Sequence, residues 1–347
     1  MKYHKNGVSL PKNWPMVSVV VINFKGTSQL EKCLNYLVRT KYPRYEVVVV
    51  DCLTKNIESW VKQRFPKVKK VVHYDHDIGP SASHNVDKHV LNPESKYLAF
   101  LDNDAYVTDN WLTELVKAME NDETVGIAQA KILMACNEKL MDHAGIAIDA
   151  LGTWHTTKGL NADSFQNIVE LFAASSAACL VRLDVFEKVG GFDPEYFIYD
   201  DDTDFSFRVR LLGYKVVLVP SAIVFHGGDP ARASLNLRKL WHSVKNRTYT
   251  MIKNYELENL WWRLVMYLFL TSLAGIGFVA VGRLLEAKET FRGVFYPLLN
   301  FKRILEKRTF VQSSRKVKDS ELFKQGFIRN DIRATVIDFK MKLGQIL

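Results

Sequence analysis

Two aspartates that could hold a metal ion follow directly after an apolar run in YLAFLDNDAYVTDNW, residues 97–111. Asp102 and Asp104 are separated by a single Asn. Burying an unpaired carboxylate is costly, so acids at the end of a buried strand meet a cation or lie at a solvated end. A surface turn or a helix N-cap would also contain such a pair. A calcium-binding EF-hand is excluded, because Tyr106 and Val107 stand where that loop needs an oxygen ligand and a glycine.

A second group of acids lies at the start of a predicted helix. The segment YDDDTD precedes FSFRVRLLG and contributes the aspartates Asp200, Asp201, Asp202 and Asp204. One or two acids in a first turn would interact favourably with the helix dipole. A larger number repel one another and raise some of their own pKa values, which favours chemistry on a proton or a cation. A calcium loop on these acids is excluded, because its sixth position lacks glycine.

One histidine ends a predicted strand farther along the chain. His226 closes the segment AIVFH and precedes two glycines. A lone histidine is more often structural than a metal ligand. From the sequence alone, both roles stay open.

The elements that must position these side chains alternate between strand-like and helix-like segments. The predicted strands are VSVVVINF (17–24), YEVVVVD (45–51), VKKVVHY (68–74) and YLAFLD (97–102), and the predicted helices begin at Thr27 or Ser28 and cover 57–65 and 80–90. Continuous β-branched runs are typical of strands buried on both faces of a parallel sheet. The alternation with short connections predicts a doubly wound α/β sheet. Ligands of such sheets bind beyond the carboxyl ends of the strands, where Asn23, Asp51 and Asp102 fall.

The turn after the first strand limits how a nucleotide could be held. That turn, NFKGTSQLEK, has one glycine and no GxGxxG pattern, and the chain has no Walker loop. A Rossmann dehydrogenase and a P-loop enzyme are therefore excluded. The phosphates of a bound nucleotide would be neutralised by something other than backbone amides, and a metal held by Asp102 and Asp104 would do so.

The composition is that of a globular protein in a reducing compartment. Of the 347 residues, 48% are hydrophobic and 24% are charged, and the 4 cysteines form no CxxC pair. This pattern argues against a zinc ribbon and against a disulfide framework. The N-terminus, MKYHKNGVSLPKNWP, has no apolar core, so we expect no signal peptide.

The positive charge and the most apolar segment both lie toward the C-terminus. Residues 283–347 hold 15 Lys and Arg against 7 Asp and Glu, which is eight of the net charge of +9. Residues 264–281 carry no charge over 18 positions, at the lower edge of what spans a bilayer. Trp261, Trp262 and Arg263 before them resemble an interfacial anchor. The alternative is a buried amphipathic helix of a soluble domain.

If the apolar segment attaches the protein to a membrane, the basic tail lies close to anionic lipid headgroups. A full crossing would carry the tail to the far side of the membrane, against the positive-inside tendency. A re-entrant or in-plane helix, with the tail along the cytoplasmic leaflet, removes that conflict. We therefore expect the tail to contact lipid and not nucleic acid, with the catalytic domain on the cytoplasmic face of the cell membrane.

Taken in order, the motifs resemble those of the inverting family 2 glycosyltransferases, and this resemblance implies the GT-A fold, a doubly wound mixed sheet. The resemblance covers about residues 16–228. It is strongest to the rhamnosyl- and mannosyltransferases that build lipid-linked or cell-surface glycans. The matching elements are VINF, the acid that ends the second strand, GPSASHN, FLDNDAYVTDNWL, DHAGIAIDALG, VGGFDPEYFIYDDDTDFSFRVRLLGYKV and the basic segment VKNRTYTMIKNY at 244–255. The aspartate pair alone is a common pattern, whereas this order of elements is specific.

The resemblance implies how a nucleotide sugar would be bound. Asp51 would hydrogen-bond its base or ribose, next to Asn23. Asp102 would contact the ribose or the metal, and Asp104 would coordinate Mn²⁺ or Mg²⁺ at the diphosphate. His226 would complete the metal shell or approach the leaving phosphate. The segment DCLTKN departs from the family after Asp51, so the recognised base stays open.

The resemblance also implies an inverting transfer of mannose, rhamnose or a similar hexose from a GDP-, UDP- or dTDP-linked donor. Asp202 would be the general base for the acceptor hydroxyl, but Asp201 replaces the usual Glu of the family, so both remain candidates. A lipid phosphate is already ionised at neutral pH and needs no base, so the acids favour a hydroxyl of a lipid-linked saccharide. The rivals are a polyprenyl- or dolichyl-phosphate sugar synthase, a silent GT-A scaffold and a nucleotidyltransferase.

These observations divide the chain into four predicted regions. They are an N-terminal extension (1–15), a GT-A catalytic domain (16–255) with a nucleotide-sugar half (16–131) and an acceptor half (132–255), membrane-associated helices (256–310) and a basic tail (311–347).

Overall fold

The computed structural model describes residues 13–227 and 237–337. Most of the predicted N-terminal extension and the end of the predicted tail lie outside these ranges, as does the second glycine after His226. The strands, in chain order, are β1 (Met16–Phe24), β2 (Tyr45–Cys52), β3 (Lys70–Tyr74), β4 (Ser95–Asp102), β5 (Ala105–Val107), β6 (Val125–Met134), β7 (Asn137–His143), β8 (Ile146–Asp149), β9 (Trp154–Thr156), β10 (Val169–Glu170), β11 (Ala178–Arg182), β12 (Lys215–His226) and β13 (Ile328–Arg329).

Helices flank and extend this set of strands. In chain order they are α1 (Ser28–Leu37), α2 (Ile57–Arg64), α3 (Pro80–Ser83), α4 (Trp111–Asn121), α5 (Leu183–Lys188), α6 (Asp201–Leu211), α7 (Leu237–Asn254), α8 (Leu257–Ala280), α9 (Leu284–Leu299), α10 (Phe301–Ser314) and α11 (Asp319–Lys324). Short 3₁₀ helices cover Ala162–Ser164 and Pro194–Tyr196.

The central sheet is mixed, as predicted. Its main path runs β10-β12-β6-β11-β4-β1-β2-β3, with β5 paired to β12 and β7 to β6. The first four strands of the chain, β1 to β4, are parallel to one another: β1 pairs with β2 and β4, and β2 pairs with β3. In contrast, β11 is antiparallel to β4 and β6. The doubly wound mixed α/β architecture is therefore confirmed.

The apolar runs of the central strands are continuous because both faces of the sheet are covered. In β1, Val19 and Val21 belong to one buried cluster, and Val20 belongs to the cluster on the opposite side. In β2, Val49 and Val48 divide in the same way. Side chains alternate between the faces of a strand, so each face needs its own apolar partner.

The third predicted helix is much shorter than expected. Instead of 80–90, α3 covers only Pro80–Ser83. The side chain of Asn85 donates to the Phe192 carbonyl at 2.7 Å and accepts from the Phe192 amide at 2.8 Å. These tertiary hydrogen bonds draw the chain away from a helical path at Asn85, which the local sequence does not reveal.

Basic side chains of α10 and of the predicted tail pack on the catalytic domain. Lys307 of α10 forms ion pairs with Asp193 and Glu195. Arg315 of the tail pairs with Asp319 at 3.0 Å and also bonds the backbone of the end of α7. These two charges are used inside the protein, and the lipid contact of the tail stays a prediction.

Candidate active site and metal centre

A cavity of about 710 Å³ lies beyond the carboxyl ends of β1, β4 and β12. Its volume is typical of a site for a small ligand or cofactor. The predicted site residues that line it are Asn23, Asp102, Asp104, Asp201, Asp202 and His226.

Three potential metal ligands converge at one end of this cavity. Asp102 ends β4, Asp104 follows in the turn to β5, and β5 pairs with β12 so that Ala105 lies opposite His226. The Nε2 atom of His226 is 3.1 Å from Asp104 Oδ1 and 3.8 Å from Asp102 Oδ2. One ligand atom from each residue lies within 4.8 Å of the others. Two carboxylates and an imidazole so close together fit a divalent cation.

A fourth residue orients the imidazole. The buried side chain of Asp142, in β7, lies 2.7 Å from His226 Nδ1 and 2.8 Å from Lys158 Nζ. Burial raises the pKa of Asp142, but its bonds to His226 and Lys158 and the charge of His143 hold that pKa below its usual range. An ionised Asp142 accepts a hydrogen bond from Nδ1–H, which directs the Nε2 atom of His226 at the two acids.

The carboxylates around His226 attract positive charge. Burial lowers the pKa of this imidazole, but Asp102, Asp104 and Asp142 together raise it well above its ordinary value. The negative charges of converging acids can be neutralised by a protonated imidazole or by a metal ion. A divalent cation bound to Nε2 would replace the proton on that atom. The chemistry of the donor set therefore fits the predicted metal.

Of the four clustered aspartates, Asp204 has structural surroundings, whereas Asp200 lines the cavity just before α6. Asp204 is fully buried and accepts hydrogen bonds from Arg208 at 2.9 Å, Lys253 at 3.0 Å and Asn254 at 2.9 Å. Asp200 occupies the N-cap position of α6, and burial raises its pKa to about 6. The charge of Asp204 is thus compensated within the protein, and Asp204 holds α6 against α7.

The other two acids, Asp201 and Asp202, begin α6 and line the cavity. Burial raises the pKa of Asp201. Burial and the charge of Asp201 raise that of Asp202. Asp202 is half-buried and lines the cavity. Because the two charges repel each other, ionisation of one acid makes ionisation of the other harder.

The backbone that leads into these acids is strained. Phe197, Tyr199 and Asp200 adopt φ values of 65°, 67° and 59°, which residues other than glycine rarely adopt. The buried amide of Asn246, in α7, holds this segment by donating to the carbonyls of Ile198 at 2.9 Å and Tyr199 at 2.7 Å. The basic segment singled out in the sequence therefore supplies a residue that positions the acid pair.

Asn23 and Asp51 lie side by side, because β1 and β2 pair with these residues opposite each other. Asn23 Nδ2 is 2.5 Å from Asp51 Oδ1, and His73 Nδ1 is 2.8 Å from Asp51 Oδ2. Asp51 is fully buried and does not line the cavity. Its contact with a nucleotide stays a prediction, and the structure shows it holding Asn23 and His73.

Asp142 and His84 are among the cavity side chains that the sequence reasoning missed. Asp142 is described above. The Nδ1 atom of His84 lies 4.0 Å from Asp201 Oδ2, and its ring stacks on Phe192 at 4.3 Å. Burial lowers the pKa of His84 to about 4, so the ring is neutral at neutral pH. The segment GPSASHN had marked this turn, but only as the start of a helix.

Comparison with known families and proteins agrees with this geometry. The model of a family described as "Glycosyltransferase like family 2" matches residues 15–250. The O-antigen biosynthesis protein RfbC of Myxococcus xanthus is 28% identical over 235 residues, which cover 63% of this chain and 18% of RfbC. The N-acetylglucosaminyl-diphospho-decaprenol L-rhamnosyltransferase of Mycobacterium tuberculosis is 36% identical over 95 residues, which cover 26% of this chain and 28% of that protein. This chain thus spans less than a third of the length of either relative.

A solved structure shares the architecture. The mannosyltransferase PcManGT from Pyrobaculum calidifontis, in complex with GDP-Man and Mn²⁺, superposes with a TM-score of 0.52 and 16% identity. The match covers 87% of this chain and 86% of that one. At this identity the similarity concerns the fold, and it confirms the predicted GT-A architecture.

Proposed function

The chain belongs to glycosyltransferase family 2, and from that premise we propose that it is a metal-dependent, inverting hexosyltransferase. Its donor would be a nucleotide diphosphate sugar, and its acceptor a hydroxyl of a lipid-linked saccharide in glycan biosynthesis. The observation that carries the proposal is one cavity that combines the ligand cluster of Asp102, Asp104 and His226 with the acid pair of Asp201 and Asp202.

The ligand cluster would hold the donor. Asp102, Asp104 and His226 would bind Mn²⁺ or Mg²⁺, and Asp142 keeps the Nε2 atom of His226 directed at that position. The bound ion would supply a Lewis acid for the departing nucleoside diphosphate. Asn23 lies in the wall of the same cavity, where it would contact the nucleotide. The solved relative with GDP-Man and Mn²⁺ supports this combination of ligands.

The acid pair would activate the acceptor. Asp202, the more open of the two acids, takes the proton of the attacking hydroxyl, and Asp201 tunes its basicity. The acceptor oxygen forms a bond to the anomeric carbon while the bond from that carbon to the diphosphate oxygen breaks. Because attack and departure are on opposite faces of the sugar, the configuration inverts.

Two observations support a lipid-linked acceptor. The rhamnosyltransferase relative is named for N-acetylglucosaminyl-diphospho-decaprenol, a lipid-linked saccharide. Among the described residues, one helix, α8, is long and apolar enough to cross a membrane, judged by length and composition alone. We propose that the enzyme works at the cytoplasmic face of the cell membrane, where its acceptor would be anchored.

The test measures nucleoside diphosphate release from GDP-mannose, UDP-glucose and dTDP-rhamnose, with lipid-linked saccharides as acceptors. We expect turnover of one donor class, loss of turnover with EDTA, and at least a hundredfold loss in Asp202→Asn, which keeps the shape but not the base (about 10²–10⁴ for general-base removal). Release of pyrophosphate would contradict the proposal and indicate a nucleotidyltransferase. Substantial turnover in Asp202→Asn with a polyprenyl phosphate would instead identify a lipid-phosphate acceptor.

A further inference from the structure

One face of α8 is apolar and exposed along the length of the helix. Its side chains recur every three or four residues and are 44% to 64% exposed: Trp261, Val265, Phe269, Leu273 and Ile276. The stripe continues into the turn between α8 and α9, here called the tip (residues 279–285), with Val279, Val281, Leu284 and Leu285 all 49% to 64% exposed. A continuous apolar surface of this size on a folded chain normally has a partner.

The opposite face of α8 is fixed to the catalytic domain. Arg263 is fully buried and donates to the Ala150 carbonyl at 2.6 Å. Tyr267, Thr271 and Phe278 on the same side of the helix are also buried. A helix held along one side by the domain cannot cross a bilayer alone, so its outer face is suited to lie in the plane of a surface.

The tip lies at the end of the helix pair where α7 begins. Helices α8 and α7 are antiparallel, and Arg247 of α7 lies over the ring of Tyr267 of α8. Helix α9 returns along α7, with Arg292 over the ring of Trp241 at 4.2 Å. In this arrangement the tip extends past the start of α7. The first turn of α7 places Arg238 and Lys239 in the cavity wall. A surface that receives the tip would therefore also face the active site.

The outer side of α9 shows which surface would fit. Leu285, Lys288, Arg292, Phe295 and Leu299 recur at helical spacing, and all of them are exposed. Cations thus lie between apolar side chains on one stripe. Apolar side chains that enter the headgroup region, next to cations that meet anionic headgroups, are the pattern of helices that bind a membrane surface.

We propose that the outer face of α8, the tip and the exposed stripe of α9 form a docking surface for an anionic bilayer, on which α8 lies in the plane of the membrane. The inference rests on the proposed function only in assigning the acceptor to the same bilayer. Lys288 of α9 is an exposed cation of this surface. Arg292, which is also exposed, pairs with Glu289 at 3.2 Å, whereas Lys307 of α10 and Arg315 of the tail are engaged inside the protein.

The test is flotation of the full chain with vesicles of phosphatidylcholine, alone or mixed with phosphatidylglycerol. The variant Leu284→Ser with Leu285→Ser changes the tip. Leu160→Ser is its control, because Leu160 is a 50% exposed leucine in a loop of the catalytic domain. We expect wild type and the control to float with the anionic vesicles, and the tip variant to need about ten times more lipid for half-maximal binding. Melting temperature should be the same in all three proteins.

Three results would overturn the proposal. Equal flotation of the tip variant and the control would show that lipid does not contact the tip. Concentration-dependent dimerisation that the tip variant abolishes, without vesicle binding, would assign the face to a second copy of the chain. Binding that survives alkaline extraction would show that α8 is integral to the membrane. Metal-dependent nucleotide binding, measured on the same proteins without lipid, reports separately on the proposed function.

Discussion

At the scale of single residues, Asp142 orients His226 toward the other proposed metal ligands. Its carboxylate holds Nδ1, so that Nε2 is directed at Asp102 and Asp104. Residues that orient a metal-binding histidine in this way commonly change metal affinity without touching the metal.

We expect Asp142→Asn to weaken Mn²⁺ binding by about 10- to 100-fold, because the amide leaves the tautomer and orientation of His226 unfixed. The measurement is a Mn²⁺ titration at saturating nucleotide. Lys158→Met is the control, since it removes another partner of Asp142 but leaves the bond between Asp142 and His226 in place. Equal losses in the two variants would contradict an orienting role.

The acid pair predicts the pH dependence of turnover. Burial raises the pKa of both Asp201 and Asp202, and the base must be ionised to accept a proton. We therefore expect kcat/KM to fall with decreasing pH while the pH is still well above that at which an ordinary aspartate loses its charge, about pH 4.

Asp201→Asn separates the two contributions to this profile. It removes the charge that raises the pKa of Asp202, so the acid limb should move to lower pH while turnover persists. Asp202→Asn should abolish turnover at every pH. An acid limb that stays in place in Asp201→Asn would show that Asp201 does not act on the base.

Several site residues could be predicted from the sequence, and others could not. Asp102, Asp104 and His226 end apolar strands, and parallel strand ends meet at one edge of a sheet. The role of Asp142 depends on the pairing of β7 with β6, which no local pattern specifies. Asp204 could not be separated from Asp201 and Asp202, because the direction of each carboxylate depends on where α6 begins.

At the scale of elements, the turn before α3 supports the strained segment before α6. Gly79 adopts a φ of 78°, and a Cβ there would lie 2.5 Å from the Phe197 carbonyl oxygen. The two loops therefore pack backbone against backbone at the edge of the cavity. This contact explains why a glycine is needed at position 79, whereas the sequence had shown only the start of a helix.

We expect Gly79→Ala to displace the segment 197–200 and to lower kcat at least tenfold, because the acid pair follows directly after it. Gly159→Ala is the matched control, since Gly159 has a similar φ of 83° and open space around its Cβ position. Both variants bear the backbone cost of about 1–2 kcal/mol, and only Gly79→Ala should lose activity. Turnover and thermal melting would be compared, and equal activity in the two would contradict the contact.

At the scale of the whole molecule, the C-terminal helices belong to the core of the protein. Ile304 of α10 and Leu322 of α11 are buried in one cluster with Tyr249 and Tyr255. The predicted boundaries at 255, 256 and 310 therefore divide a continuous apolar interior. Hydropathy and net charge distinguished these segments but could not show that they fold back, because the contacts join residues far apart in sequence.

We expect Ile304→Ala to lower the free energy of unfolding by about 2–5 kcal/mol, the usual cost of removing a buried aliphatic side chain. The neighbouring Leu305→Ala is the control, because Leu305 is 38% exposed and Ile304 is fully buried, and it should change stability by about 0.5 kcal/mol or less. Denaturant unfolding compares the two. Equal, small effects would mean that α10 is not part of the folded core.

The central claim is a metal-dependent nucleotide site at the end of β4 and β12. Calorimetric titration of the protein with GDP, UDP and dTDP, each with and without Mn²⁺, tests it most directly. We predict that one nucleotide binds only with the metal and that Asp104→Ala abolishes this binding while the protein stays folded. Binding of none of them to the folded wild type, or unchanged binding in Asp104→Ala, would contradict the claim.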